Sequence, residues 1–87
     1  MSYSCKKNVA NVLVIGQNHK MHTAVNIAKF IMDTVDPDTC ILLHVQDLEL
    51  GEVLADALPG AGVVEATDDC FLENWYNAAI VIDANDF

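Results

Sequence analysis

The sequence predicts a small α/β protein, a four-stranded parallel sheet with helices on its faces. The chain order is β-α-β-α-β-α-β and the sheet order is 3-2-1-4. Three observations predict it. Apolar runs of strand length recur at residues 9–15, 40–45 and 79–82, with too little alternation for a sheet wetted on one face. Between them, apolar residues fall at helical spacing. Glycine and proline mark the joins, at Gly16, Pro37, Pro59 and Gly60.

Each element has its own warrant. Residues 1–8 are polar and read as a flexible lead-in, with residues 9–87 as one α/β domain. Val9 to Ile15 is a nearly continuous apolar run that stops at Gly16, the pattern of a strand buried on both faces. Ala24, Ile27, Ala28, Ile31 and Val35 then share a helical face, with His22 or Thr23 at the expected start. Asp36-Pro37 ends this helix, because a residue before proline is pushed out of the helical region. Cys40 to Val45 is the second strand. Leu50, Val53, Leu54, Ala57 and Leu58 form the apolar face of a helix over 49–58, which Pro59-Gly60 stops. Residues 62–66 are a short third strand. Thr67-Asp68-Asp69 is the expected cap of a helix carrying Phe71, Leu72, Trp75 and Tyr76. Ala79 to Ile82 is the fourth strand. The expected buried centre is Val12 to Ile15 and Ile80 to Ile82.

Composition narrows the function. The chain has 87 residues, 53% of them apolar, which leaves apolar surface to cover and predicts a homodimer or a place in a larger complex. Its four lysines, Lys6, Lys7, Lys20 and Lys29, all precede residue 30, and its thirteen acids all follow residue 32. The net charge of −9 disfavours direct nucleic-acid binding, since phosphates are repelled. It favours docking on a basic protein surface, or it serves only solubility. Cys5, Cys40 and Cys70 lack Cys-x-x-Cys spacing and read as small buried hydrophobes of a reducing compartment. No run approaches the ~20 apolar residues that span a membrane. The expected location is the cytoplasm.

Val12-Leu13-Val14-Ile15-Gly16, Asp47 after the second strand, Ala66-Thr67-Asp68 after the third and Ala79 to Asp83 in the fourth resemble the first part of a Rossmann-type nucleotide-binding domain. The resemblance covers about residues 9–86 as a pattern of strands and helices. It implies a nucleotide phosphate held at the first loop. The glycine-rich G-x-G-x-x-G loop is not intact, however. The segment reads Gly16-Gln17-Asn18-His19-Lys20-Met21, and side chains replace the later glycines that let backbone approach a pyrophosphate.

Candidate sites follow from the strand ends, where ligands collect in parallel α/β sheets. Gly16, Gln17, Asn18, His19, Lys20, His22 and Thr23 precede or open a helix, where free N–H groups favour an anion such as phosphate. The plainer reading is a solvated loop with Lys20 paired to an aspartate. Asp47, Asp68, Asp83 and Asp86 could gather Mg²⁺, or Asp68 or Asp69 caps a helix while the others face water. His19-x-x-His22 is a fragment of a metal site without a second ligand pair. His44 lies in an apolar strand and reads as a hydrogen-bonded core residue. Cys70 beside Asp69 is poorly placed for an activated thiolate. No catalytic residue, cofactor or metal is assigned, and the enzyme question leans to no.

The leading expectation is a non-enzymatic acidic module that inhibits or regulates a basic partner. Glu49, Glu52, Asp56 and Glu73 would supply the field, with Trp75, Tyr76 or Phe87 as apolar anchors. The alternative is a nucleotide- or phosphate-binding module that uses residues 16–23.

Overall fold

The first apolar run forms strand β1 (Val9–Ile15), and its neighbours in the sheet explain why it is apolar throughout. The computed structural model describes residues 8–66 and 77–87. Strands β2 (Cys40–Val45), β3 (Gly62–Glu65) and β4 (Ile80–Asp83) complete a sheet in the order β3-β2-β1-β4. All three pairings are parallel. The class and strand order are therefore those the sequence predicts, and they are consistent with a Rossmann-like arrangement.

Register sorts the side chains. Val12 pairs with Leu43 and Ile80, and Val14 pairs with Val45 and Ile82. These residues share one face and form the core with two helices. Leu13 is also fully buried but points to the opposite face, as strand alternation requires. Both faces of β1 are thus covered at its centre. By contrast β4 is an outer strand, and Val81 is 39% exposed. Only Ile82 of the expected Ile80–Ile82 centre is fully buried there, because an edge strand has a neighbour on one side alone.

Helix α1 (Met21–Thr34) buries Ala24, Ile27, Ala28 and Ile31 of the stripe read from its spacing, with Thr23 beside them and Val35 at the C-cap. It begins before the expected His22 or Thr23. Lys20 occupies the N-cap without a side-chain bond, and Thr23 lies inside the first turn. The chain leaves the helix at Val35, just before Asp36-Pro37. Helix α2 (Leu48–Ala57) starts at Asp47, whose Oδ1 accepts the Glu49 N–H at 3.1 Å. That is ordinary N-capping.

Gly51 seats α2 on the sheet. A Cβ there would lie 2.8 Å from both Val45 Cγ2 and Val63 Cγ1, so only glycine permits this approach. Both neighbours are β-branched and stiff at χ1, which leaves little room to yield. Leu50 and Leu54 bury beside it. The seating turns Glu49, Glu52 and Asp56 outward.

Cys40 is disulfide-bonded, which corrects the expectation of isolated thiols. Its partner lies outside the described residues, as does the helix expected from Thr67 to Tyr76. Among the described residues, no helix is long and apolar enough to cross a membrane.

Candidate functional site

The carboxyl ends of β1, β2 and β4 bring three loops together. Gly16 turns the first with φ of +93°, a conformation that disfavours any side chain. Its N–H donates to Gln46 Oε1 at 2.9 Å, which ties the end of β1 to the end of β2. A Cβ on Gly16 would meet Asn85 Nδ2 at 3.2 Å and Asp83 Oδ1 at 3.3 Å. The chain after β4 therefore stands over the loop where the resemblance would put a pyrophosphate.

Asp83 Oδ1 accepts the Asn85 N–H at 2.9 Å and starts a 3₁₀ turn at Ala84–Asp86. This turn carries Phe87 to helix α1. The Thr23 hydroxyl donates to the Phe87 carbonyl at 3.3 Å, and the Phe87 ring meets Phe30 edge-on at 5.9 Å. Thr23 is fully buried. Phe87 is thus engaged within the chain and is half-buried.

His19 is the centre of the polar cluster. Its Nδ1 lies 2.9 Å from Asp47 Oδ2, and its Nε2 lies 3.2 Å from Glu49 Oε2. The hydrogen bond to Asp47, then the charge of Glu49, hold its pKa above the ordinary value. The imidazolium is favoured because it can donate from both nitrogens at once. Asp47 therefore does two tasks, capping α2 with one oxygen and holding the first loop with the other. Asn18 Oδ1 accepts the Lys20 N–H at 3.3 Å and shapes the approach to α1. Gln17, Lys20 and His22 are exposed.

Of the expected loop residues, Gly16, Asn18, His19 and Thr23 are bonded within the chain, while the side chains of Gln17, Lys20 and His22 face solvent. Asp47 and Asp83 are occupied by separate local bonds rather than aimed at a common ion, and Asp68 lies outside the described residues. Among the described residues, no group of three or more His, Cys, Asp and Glu side chains is placed to hold a metal. His44 lies on the second face of the sheet, with Nε2 at 3.1 Å from Asn11 Oδ1. That carbonyl oxygen only accepts, so Nε2 carries the proton. Burial keeps the His44 pKa below its ordinary value.

The expected docking residues divide. Glu49, Glu52 and Asp56 are exposed and lie three and four residues apart along α2, on one stripe. Leu48, 46% exposed, begins the same helix. Glu73, Trp75 and Tyr76 lie outside the described residues. At the opposite, amino end of the sheet is a pocket of about 330 Å³ between the last turns of α1 and α2, lined mainly by apolar side chains. No local sequence signal marks it, because its walls come from separate stretches of the chain. The His19 contacts with Asp47 and Glu49 were also missed, although adjacent strand ends were the available signal. No protein-family model, curated protein or solved structure matches the chain.

Proposed function

We propose that this chain is a small acidic interaction module that docks on a lysine- or arginine-rich protein surface and inhibits or regulates its owner. One observation carries the reading. Glu49, Glu52 and Asp56 form an exposed stripe on α2, and among the described residues the cation within ion-pair reach of the stripe is His19, at Glu49. A fixed row of carboxylates on a seated helix steers a basic partner and sets its orientation. Leu48 adds an exposed apolar contact at the head of that row.

The nucleotide- or phosphate-binding alternative through residues 16–23 has weaker support. His19 faces two carboxylates, Thr23 donates within the chain, and Asn85 stands over Gly16. An anion would have to displace these groups. Pairing of two copies along an outer strand of the described sheet, β3 or β4, is the proposed assembly, and sedimentation tests it. The disulfide at Cys40 fits an oxidising compartment better than the expected cytoplasm.

Affinity capture at low and high salt tests docking, with the wild-type chain beside a variant carrying Glu49→Gln, Glu52→Gln and Asp56→Asn. The expected result is a partner lost at high salt, whose association with the variant slows about tenfold. Unchanged association at low salt would reduce the acidic stripe to a solubility device. A rise in melting temperature with a nucleotide panel would favour the alternative.

A further inference from the structure

We infer that the pocket between the last turns of α1 and α2 seats an apolar side chain of the basic partner, so that the partner presents a leucine- or phenylalanine-like residue flanked by lysine or arginine. This rests on the docking reading above and names where the anchor goes. At about 330 Å³ the pocket is large enough to enclose a bulky side chain. It stands at the lower end of the roughly 300–1,000 Å³ range of ligand pockets.

Its walls are prebuilt. Leu58 is buried at the base, Val35 and Ile41 pack against the core, and Pro37 and Pro59 have fixed φ. Little conformational freedom remains to be lost when an occupant arrives. Met32 is the adaptable wall, 52% exposed and flexible enough to close over different shapes.

The charges around it choose the occupant. Asp36 lines the pocket, and Asp33 is exposed on the last turn of α1. Asp56 is exposed on the last turn of α2, just before the Leu58-Pro59 wall. Lys29 precedes Asp33 by one turn, so among the described residues the local balance stays negative. An acidic segment would be repelled here. A cation beside the apolar residue would meet one of these carboxylates while the side chain enters the pocket. Asp56, the last carboxylate of the docking stripe, stands two residues before the Leu58 wall, so one partner can span stripe and pocket.

Nuclear magnetic resonance titration of the full chain tests this with three short peptides. One is built of leucine and lysine. In the second, serine replaces leucine, and in the third, glutamine replaces lysine. The leucine–lysine peptide should shift the amides of Met32, Val35, Ile41 and Leu58. Met32→Gln, a change at an exposed position, should weaken that peptide about fivefold while leaving the chain folded. Equal binding of the serine peptide, with shifts confined to Glu49, Glu52 and Asp56, would overturn the pocket and leave the docking reading standing. Equal occupancy by the glutamine peptide would overturn the basic occupant. Pocket shifts that grow with protein concentration alone would assign the pocket to a second copy and overturn the inference. No binding of either lysine peptide at low salt would remove both readings.

Discussion

At the carboxyl end of the sheet, loops are stitched together by side chains. Gln46 holds Gly16, His19 holds Asp47 and Glu49, and Thr23 holds Phe87. At the amino end, Cys40 is covalently bonded, and an apolar pocket remains open between two helix ends. The usual expectation for a parallel α/β sheet is the reverse, with an open crevice at the carboxyl end. Strand topology sets where the loops converge, and the side chains set how they are joined. Here polar loop residues bond across the strand ends. Among the described residues, the pocket lies where Pro37 and Pro59 follow the ends of α1 and α2.

Breaking the covalent bond at the amino end should have the largest effect. Whichever of Cys5 and Cys70 is the partner, the bond closes a loop of about 30–35 residues, worth about 3–4 kcal/mol in the chain-entropy picture. Urea unfolding with and without dithiothreitol measures it. The reduced chain should unfold at clearly lower urea. An unmoved midpoint would mean that packing alone holds the amino end, which would make the two ends more alike than they look.

The matching test at the carboxyl end is Gly16→Ala. An L-residue held at positive φ loses about 1–2 kcal/mol. Asn85 is exposed and its side chain can swing aside, so backbone strain should dominate over crowding. Gly16→Asn separates the two, since asparagine tolerates positive φ better and crowds at least as much. Urea midpoints should fall for both variants, and less for asparagine. A larger loss for asparagine would show that the Asp83–Asn85 turn presses on the loop more firmly than the distances imply.

These two ends were not equally legible in the sequence. The β1 run and the Cys40–Val45 run announced central strands because burial on both faces demands continuous apolar residues. The α1 stripe was equally plain. Its start was not, because Thr23 looks like a cap while its hydroxyl goes to Phe87, distant in sequence. Local signals cannot see such a partner. The Cys40 bond was hidden for the same reason, since pairing depends on how close two cysteines stand in space and not on their spacing. From local sequence alone, His19 looks like a solvated or phosphate-facing residue. Its true neighbours come from the next strand end, so the order 3-2-1-4 already implied them. The pocket had no sequence sign, because Met32, Ile41 and Leu58 become neighbours only once both helices are seated.

The smallest effect compares the two histidines, one in the stitched loops and one on the sheet face. His19 has its pKa raised by Asp47 and then Glu49, so its contribution to stability is complete below its unfolded value near 6.5. That contribution disappears as pH rises through the folded value. His44 has its pKa lowered by burial, so the unfolded chain takes up the proton first as pH falls below about 6.5. Its contribution is complete above that value and is lost on acidification. Among the described residues, the buried Nδ1 of His44 has no hydrogen-bond partner, so a proton placed there would be unsatisfied. Together the two set a shallow stability maximum near neutrality, above the range where carboxylates titrate. His19→Gln should flatten the alkaline side of a melting-temperature profile and leave the acid side in place. His44→Gln should flatten the acid side. Because His19 is exposed, its half of the profile should also shrink with added salt, whereas the His44 half should not. A profile whose alkaline side survives in His19→Gln would mean that the bonds from His19 to Asp47 and Glu49 do not hold the loops together in solution.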